Sequence, residues 1–105
     1  MKQVYELHAE VCKVLANPKR IEIINTLRNM EMSVGELLAK LKIRKANLSQ
    51  HLAVMRTKGI VKTRREGTSV YYRISNPKVI RACDIMREVL LEQLTESKKL
   101  IAKLR

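Results

Sequence analysis

Between Lys45 and His51 the chain reads Lys-Ala-Asn-Leu-Ser-Gln-His, a run whose side chains match the edges of DNA bases better than the needs of a catalyst. Asn47 and Gln50 carry amides able to pair with an adenine edge, Ser49 can reach a base or a phosphate, and Ala46 is short enough to let the backbone approach. Lys45, at the head of the run, and Arg64 and Arg65 further along suit phosphate oxygens, which supply affinity without sequence information. Lys42, Arg44, Arg56 and Thr68 complete the candidate contact set. His51 has three readings at this point: a phosphate donor, a base contact, or a partly buried histidine. Phosphate or structural duty is favoured.

Charge strengthens this reading. The 105 residues carry a formal net charge of +12, which attracts polyanions. No Asp or Glu occurs from Leu37 to Arg65, while Lys40, Lys42, Arg44, Lys45, Arg56, Lys58, Lys62, Arg64 and Arg65 all fall there. A merely solvated charge run is the bland alternative, but it has no reason to coincide with a helix and hairpin of the kind described below.

The other reactive side chains are two thiols. Cys12 and Cys83 lie far apart and form no CxxC pair, so neither a disulfide framework nor a zinc module is indicated, and no cofactor or metal is expected. The two histidines, His8 and His51, have no nucleophile set at familiar spacing, and no glycine-rich phosphate loop exists, so an enzyme is not expected. No apolar run approaches a membrane span, and Met1 to Glu6 leads into an amphipathic pattern instead of a signal-peptide core, so the expectation is a cytoplasmic protein with no membrane partner.

The elements that must carry these residues can be read from periodicity. Val4, Leu7, Val11, Val14 and Leu15 recur at helical steps and predict a helix over 2–15. Asn17-Pro18 breaks it and caps a second helix, whose buried stripe is expected to be Ile21, Ile24 and Leu27. Ser33 and Glu36 have the spacing of a capping box at the head of a third helix ending near Leu41. After a turn at 42–44, a fourth helix over 45–58 buries Leu48, Leu52 and Met55 before Gly59 stops it. The period then changes to alternation, with Ile60, Val61 and Thr63, then Val70, Tyr71, Tyr72 and Ile74, flanking Glu66-Gly67-Thr68-Ser69, which predicts a hairpin with a mobile basic tip. Asn76-Pro77 opens a last helix running almost to Arg105, with Val79, Cys83, Met86, Leu90, Leu94, Ile101 and Leu104 on one stripe.

That order predicts a mainly α fold with a small β-hairpin, a winged helix-turn-helix forming one domain over 1–105. The helix-turn-helix occupies 33–58 and the wing 60–75. The last stripe is too long for so small a domain to cover, so residues 1–16 and 77–105 are expected to pair with a second copy.

Leu15-Ala16-Asn17-Pro18-Lys19-Arg20, Ser33-Val34-Gly35-Glu36-Leu37, Asn47-Leu48-Ser49-Gln50-His51-Leu52, and Arg64-Arg65-Glu66-Gly67 through Tyr71-Tyr72 together resemble the ArsR family of repressors over nearly the whole chain. The resemblance implies a homodimer built on the first and last helices, a recognition helix from each protomer in successive major grooves of double-stranded operator DNA, and repression that an inducer relieves. The family's arsenic- and cadmium-type motif has two cysteines where this chain has Ser33 and Gly35. Its zinc-type ligands align with Asn76, Lys78, Val89 and Glu92, leaving one plausible donor where three or four are needed.

Cys12 and Cys83 fall on the two helices that the resemblance places at the dimer interface. Such a pair resembles in general design the dithiol switches of members that respond to sulfide, persulfide or oxidant, although those members usually place the first cysteine on the second helix. Three readings stay open: a thiol sensor for reactive sulfur species or oxidant, a site for a thiophilic ion such as arsenite or Cu(I) with Met or His8 nearby, or two buried hydrophobes. A winged-helix protein-interaction module that does not bind DNA is the remaining alternative, and the acid-free, lysine-rich stretch argues against it.

Overall fold

Asn17 separates the first two helices by capping the second. In the computed structural model, which describes residues 1–104, α1 spans Lys2–Leu15 and α2 spans Pro18–Thr26. Asn17 is extended, and its Oδ1 accepts from the amides of Lys19 at 3.0 Å and Arg20 at 3.2 Å. Pro18 takes the first helical position, where its missing N–H costs nothing.

The expected capping box is present: the Glu36 amide donates to Ser33 Oγ at 3.2 Å and the Ser33 amide donates to Glu36 Oε1 at 3.1 Å, opening α3 at Val34–Lys40. α4 spans Lys45–Thr57 and ends where Gly59 takes φ +74°. Gly59 N–H bonds to Arg56 O at 3.0 Å and Ile60 N–H to Met55 O at 2.9 Å, the paired bonds of a Schellman stop, with Ile60 and Met55 both buried.

The wing strands are β2, Val61–Glu66, and β3, Ser69–Ile74, antiparallel from Val61↔Ile74 to Glu66↔Ser69. The ladder therefore runs to the tip, closed by the two residues Gly67-Thr68, with Gly67 at φ +61° supplying the positive dihedral a tight hairpin needs. The sheet also has a third strand that the sequence pattern did not show. β1, Met32–Ser33, pairs with β3 through Met32↔Tyr72 and Ser33↔Tyr71, so the sheet order is β1-β3-β2. α5 then spans Pro77–Leu104, and the expected continuation to Arg105 lies outside the described residues.

One core unites these elements: Ile23, Ile24 and Leu27 of α2, Leu37 of α3, Leu48, Leu52 and Met55 of α4, and Val61 of β2 are almost wholly buried, joined by Val14, Met32, Leu41, Ile60 and Ile80. The stripe expected for α2 is out of phase. Ile21 is 38% exposed and Ile23 takes its place, because two successive steps of three residues rotate a side chain well off the face that a step of four keeps.

α1 and α5 remain largely bare in the single chain. Only Val14 of α1 and Ile80 of α5 are buried, while Val4, Leu7, Met86, Leu90, Leu94, Ile101 and Leu104 are exposed. The apolar stripe read from the sequence exists: its start at Val79 and Cys83 packs against the core, and from Met86 onward its side chains are exposed among the described residues. No described helix is long and apolar enough to cross a membrane.

Candidate nucleic-acid interface

Leu48, Leu52 and Met55 bury one face of α4 and so turn the opposite face outward. On that face Lys45, Ala46, Asn47, Ser49 and Gln50 are all exposed, as are Arg44 just before the helix and Arg56 near its end. A polar, amide- and hydroxyl-bearing helix face next to a turn from α3 is the geometry that enters a major groove. α4 also differs from α2 and α3 at its start. Its N-cap is Arg44, whose side chain makes no capping bond, and unlike α3 it has no acidic residue in its first turn. The first-turn amides are thus left to whatever anion approaches, which complements a phosphate.

His51 faces another way. It is partly buried, and its Nδ1 accepts from Arg20 Nε at 3.1 Å, while Arg20 Nη1 donates to Val14 O at 3.2 Å. An accepting Nδ1 requires the neutral imidazole with its proton on Nε2. Burial, and then the charge of Arg20, push the His51 pKa below its ordinary value, in keeping with that state. The residue pins α4 to the α1–α2 corner, a contact between residues too distant in sequence to be read from spacing.

The wing arginines part company. Arg65 is exposed and, among the described residues, has no ion pair. Arg64 donates from Nε to Glu31 Oε1 at 3.1 Å and from Nη1 to Glu66 Oε2 at 2.8 Å, and lies 4.8 Å from the centroid of the Tyr71 ring. Its guanidinium is therefore already engaged by two carboxylates and an aromatic face. Lys58 is engaged in a looser way, by Glu10 at 3.3 Å. Of the cations in the acid-free stretch, Lys40, Lys42, Arg44, Lys45, Arg56, Lys62 and Arg65 are exposed with no ion pair among the described residues. Lys40 and Lys62 share this exposure with the residues of the candidate set. Thr68 stands exposed at the wing turn.

The thiols do not share one environment. Cys12 is exposed on α1, whereas Cys83 is half-buried where α5 leaves the core, and burial pushes its thiol pKa up against the opposing pull of Arg87. Among the described residues no group of three or more His, Cys, Asp or Glu side chains is placed to hold a metal ion.

These parts define a winged helix-turn-helix DNA-binding protein. Residues 17–63 match the profile described as "Bacterial regulatory protein, arsR family". The chain is 38% identical over 103 residues to the HTH-type transcriptional regulator Rv0081 of Mycobacterium tuberculosis, covering 97% of this chain and 90% of that one. The crystal structure of Rv0081 superposes with a TM-score of 0.80, covering 89% of this chain and 94% of the other. The biofilm growth-associated repressor of Agrobacterium fabrum is 46% identical over 78 residues, 74% of this chain and 67% of the relative. The homodimeric winged helix-turn-helix domain of Mb0332 from Mycobacterium bovis, solved by NMR, is 31% identical with a TM-score of 0.79, covering 89% of this chain and 86% of that domain. The chain belongs to the arsR family of bacterial transcriptional regulators.

Proposed function

We propose that this protein is a homodimeric repressor that reads double-stranded operator DNA with α4 and the wing, and that thiol chemistry at Cys12 and Cys83 releases it. The observation that carries the DNA reading is the outward face of α4, where base-matching side chains sit among exposed cations that have no ion pair among the described residues. The uncovered apolar faces of α1 and α5 support the dimer, as does the description of the Mb0332 domain as homodimeric. Repression follows the name of the Agrobacterium relative.

Cys12 and Cys83 support the signal because both lie on the helices left bare for a partner. In the single chain Cys12 is exposed and Cys83 is half-buried. With a persulfide, two thiols become one disulfide while the reagent leaves as a thiol and hydrogen sulfide, so the cysteines supply two electrons and the persulfide accepts them. A cross-link between dimer helices would favour a dimer whose recognition helices no longer match the operator.

The experiment is binding of the purified protein to its own promoter region at fixed salt, first with thiols reduced and then after persulfide or arsenite, with intact mass recorded in parallel. Loss of binding with a mass change that joins Cys12 to Cys83 supports the dithiol switch, and Cys12→Ser or Cys83→Ser should then abolish the response. Loss with arsenite alone would replace it by a thiophilic-ion site with donors from two protomers. Binding that neither reagent alters would reduce both cysteines to packing residues.

A further inference from the structure

The loop over 28–31, between α2 and β1, is held at both ends by ion pairs to parts of the molecule with different tasks. At its head, Arg28 Nη1 donates to Asp84 Oδ2 at 2.7 Å and Nη2 to Asp84 Oδ1 at 2.6 Å, a two-pronged pair onto α5 with side chains 36% and 33% exposed. Nη2 also donates to Asn25 Oδ1 at 2.8 Å, which fixes the guanidinium plane on α2. At its tail, Glu31 holds Arg64 of the wing. The chain then runs straight into β1, paired with the wing, and into Ser33, the cap of α3. Everything that reads DNA is thus tied, through one short segment, to a carboxylate on the last helix.

α5 has few other constraints within its own protomer. It packs against α2, with Ile80 in the core and Val79 and Cys83 against it, and its apolar side chains from Met86 onward are exposed. Apolar contact is non-directional and tolerates a change of tilt, whereas a bidentate guanidinium–carboxylate fork specifies orientation. In a two-fold dimer joined through α5, the tilt of that helix sets the separation of the two α4 helices, and any change is made twice.

We infer that Arg28 and Asp84 are positioning residues that set the half-site spacing the protein reads, by locking α5 to the α2–β1 loop. The inference rests on the homodimer reading above. Arg87, 3.4 Å from Asp84 Oδ1, is a secondary partner on the same helix and does not reach the body.

The test uses duplexes selected from a random pool by the wild-type protein, then rebuilt with one or two base pairs added or removed between half-sites, and as single half-sites. Asp84→Asn and Arg28→Lys, the latter keeping the charge but losing the fork, should remain dimeric in sedimentation and bind the selected spacing about 5-fold or more weakly, the scale of ordinary coupling between sites. Their preference among spacings should flatten, single half-site affinity should stay at the wild-type level, and the exchange Arg28→Asp with Asp84→Arg should recover the preference. Should Asp84→Asn fail to fold, Arg28→Lys carries the test. Dimeric variants that keep the wild-type spacing preference, or lose affinity equally on single half-sites, overturn the inference alone. A wild-type protein that binds as a monomer overturns the dimer reading and this inference with it.

Discussion

Arg64 and Arg65 are neighbours of one residue type, yet their surroundings assign them different work. Arg65→Ala occurs twice in the proposed dimer and should lower the magnitude of the slope of log affinity against log salt by about 1.8, the signature of two phosphates fewer being neutralised. Arg64→Ala should leave the slope nearly unchanged, because Glu31 and Glu66 already neutralise that guanidinium, and should act instead by loosening the wing. Titrating duplex binding over a salt series for both variants checks the pair. His51 provides a second residue-scale prediction. Its folded pKa is depressed, so its contribution to stability is fully present above the unfolded value of about 6.5 and is lost as pH falls through the lower folded value. Protonation there places a hydrogen on Nδ1, facing the donor Arg20 Nε. Thermal unfolding followed from neutral to mildly acid pH should therefore show a larger loss in the wild type than in His51→Gln, whose side-chain oxygen can still accept.

Elements were more legible than the contacts between them. α1, α2, α4 and α5 begin or end at local signals, namely Asn17-Pro18, Asn76-Pro77 and Gly59, which act through backbone chemistry within a few residues. The outward face of α4 was legible for the same reason, since burying Leu48 and Leu52 decides where Asn47 and Gln50 point. β1 was not, because two residues have no period of their own and become a strand only by pairing with Tyr71 and Tyr72. Nor were Arg20–His51, Arg28–Asp84 and Arg64–Glu31, each of which joins residues more than thirty apart. Charge counted along the sequence located the basic stretch correctly but could not show that Glu31 and Glu10 fold back onto two of its cations.

For the whole molecule, assembly and DNA binding are one question. Leu90 is 52% exposed in the single chain, so Leu90→Glu should leave the protomer folded while abolishing the proposed dimer, and should unfold at a lower temperature than wild type because the stabilisation supplied by association is lost. Losing the linkage between two recognition helices should weaken operator binding about 100-fold or more, measured by sedimentation and mobility shift together. Inside each protomer, by contrast, Ile60 leaves little play. Its N–H closes the end of α4 on Met55, its carbonyl accepts from Ser75 at 3.0 Å just past β3, and its side chain is buried between them. Reading helix and wing therefore form a single calliper of set width. If α4 and the wing read DNA as proposed, a duplex whose neighbouring grooves do not match that width must bend or compress to fit, and the energy of doing so would discriminate among base steps that no side chain touches.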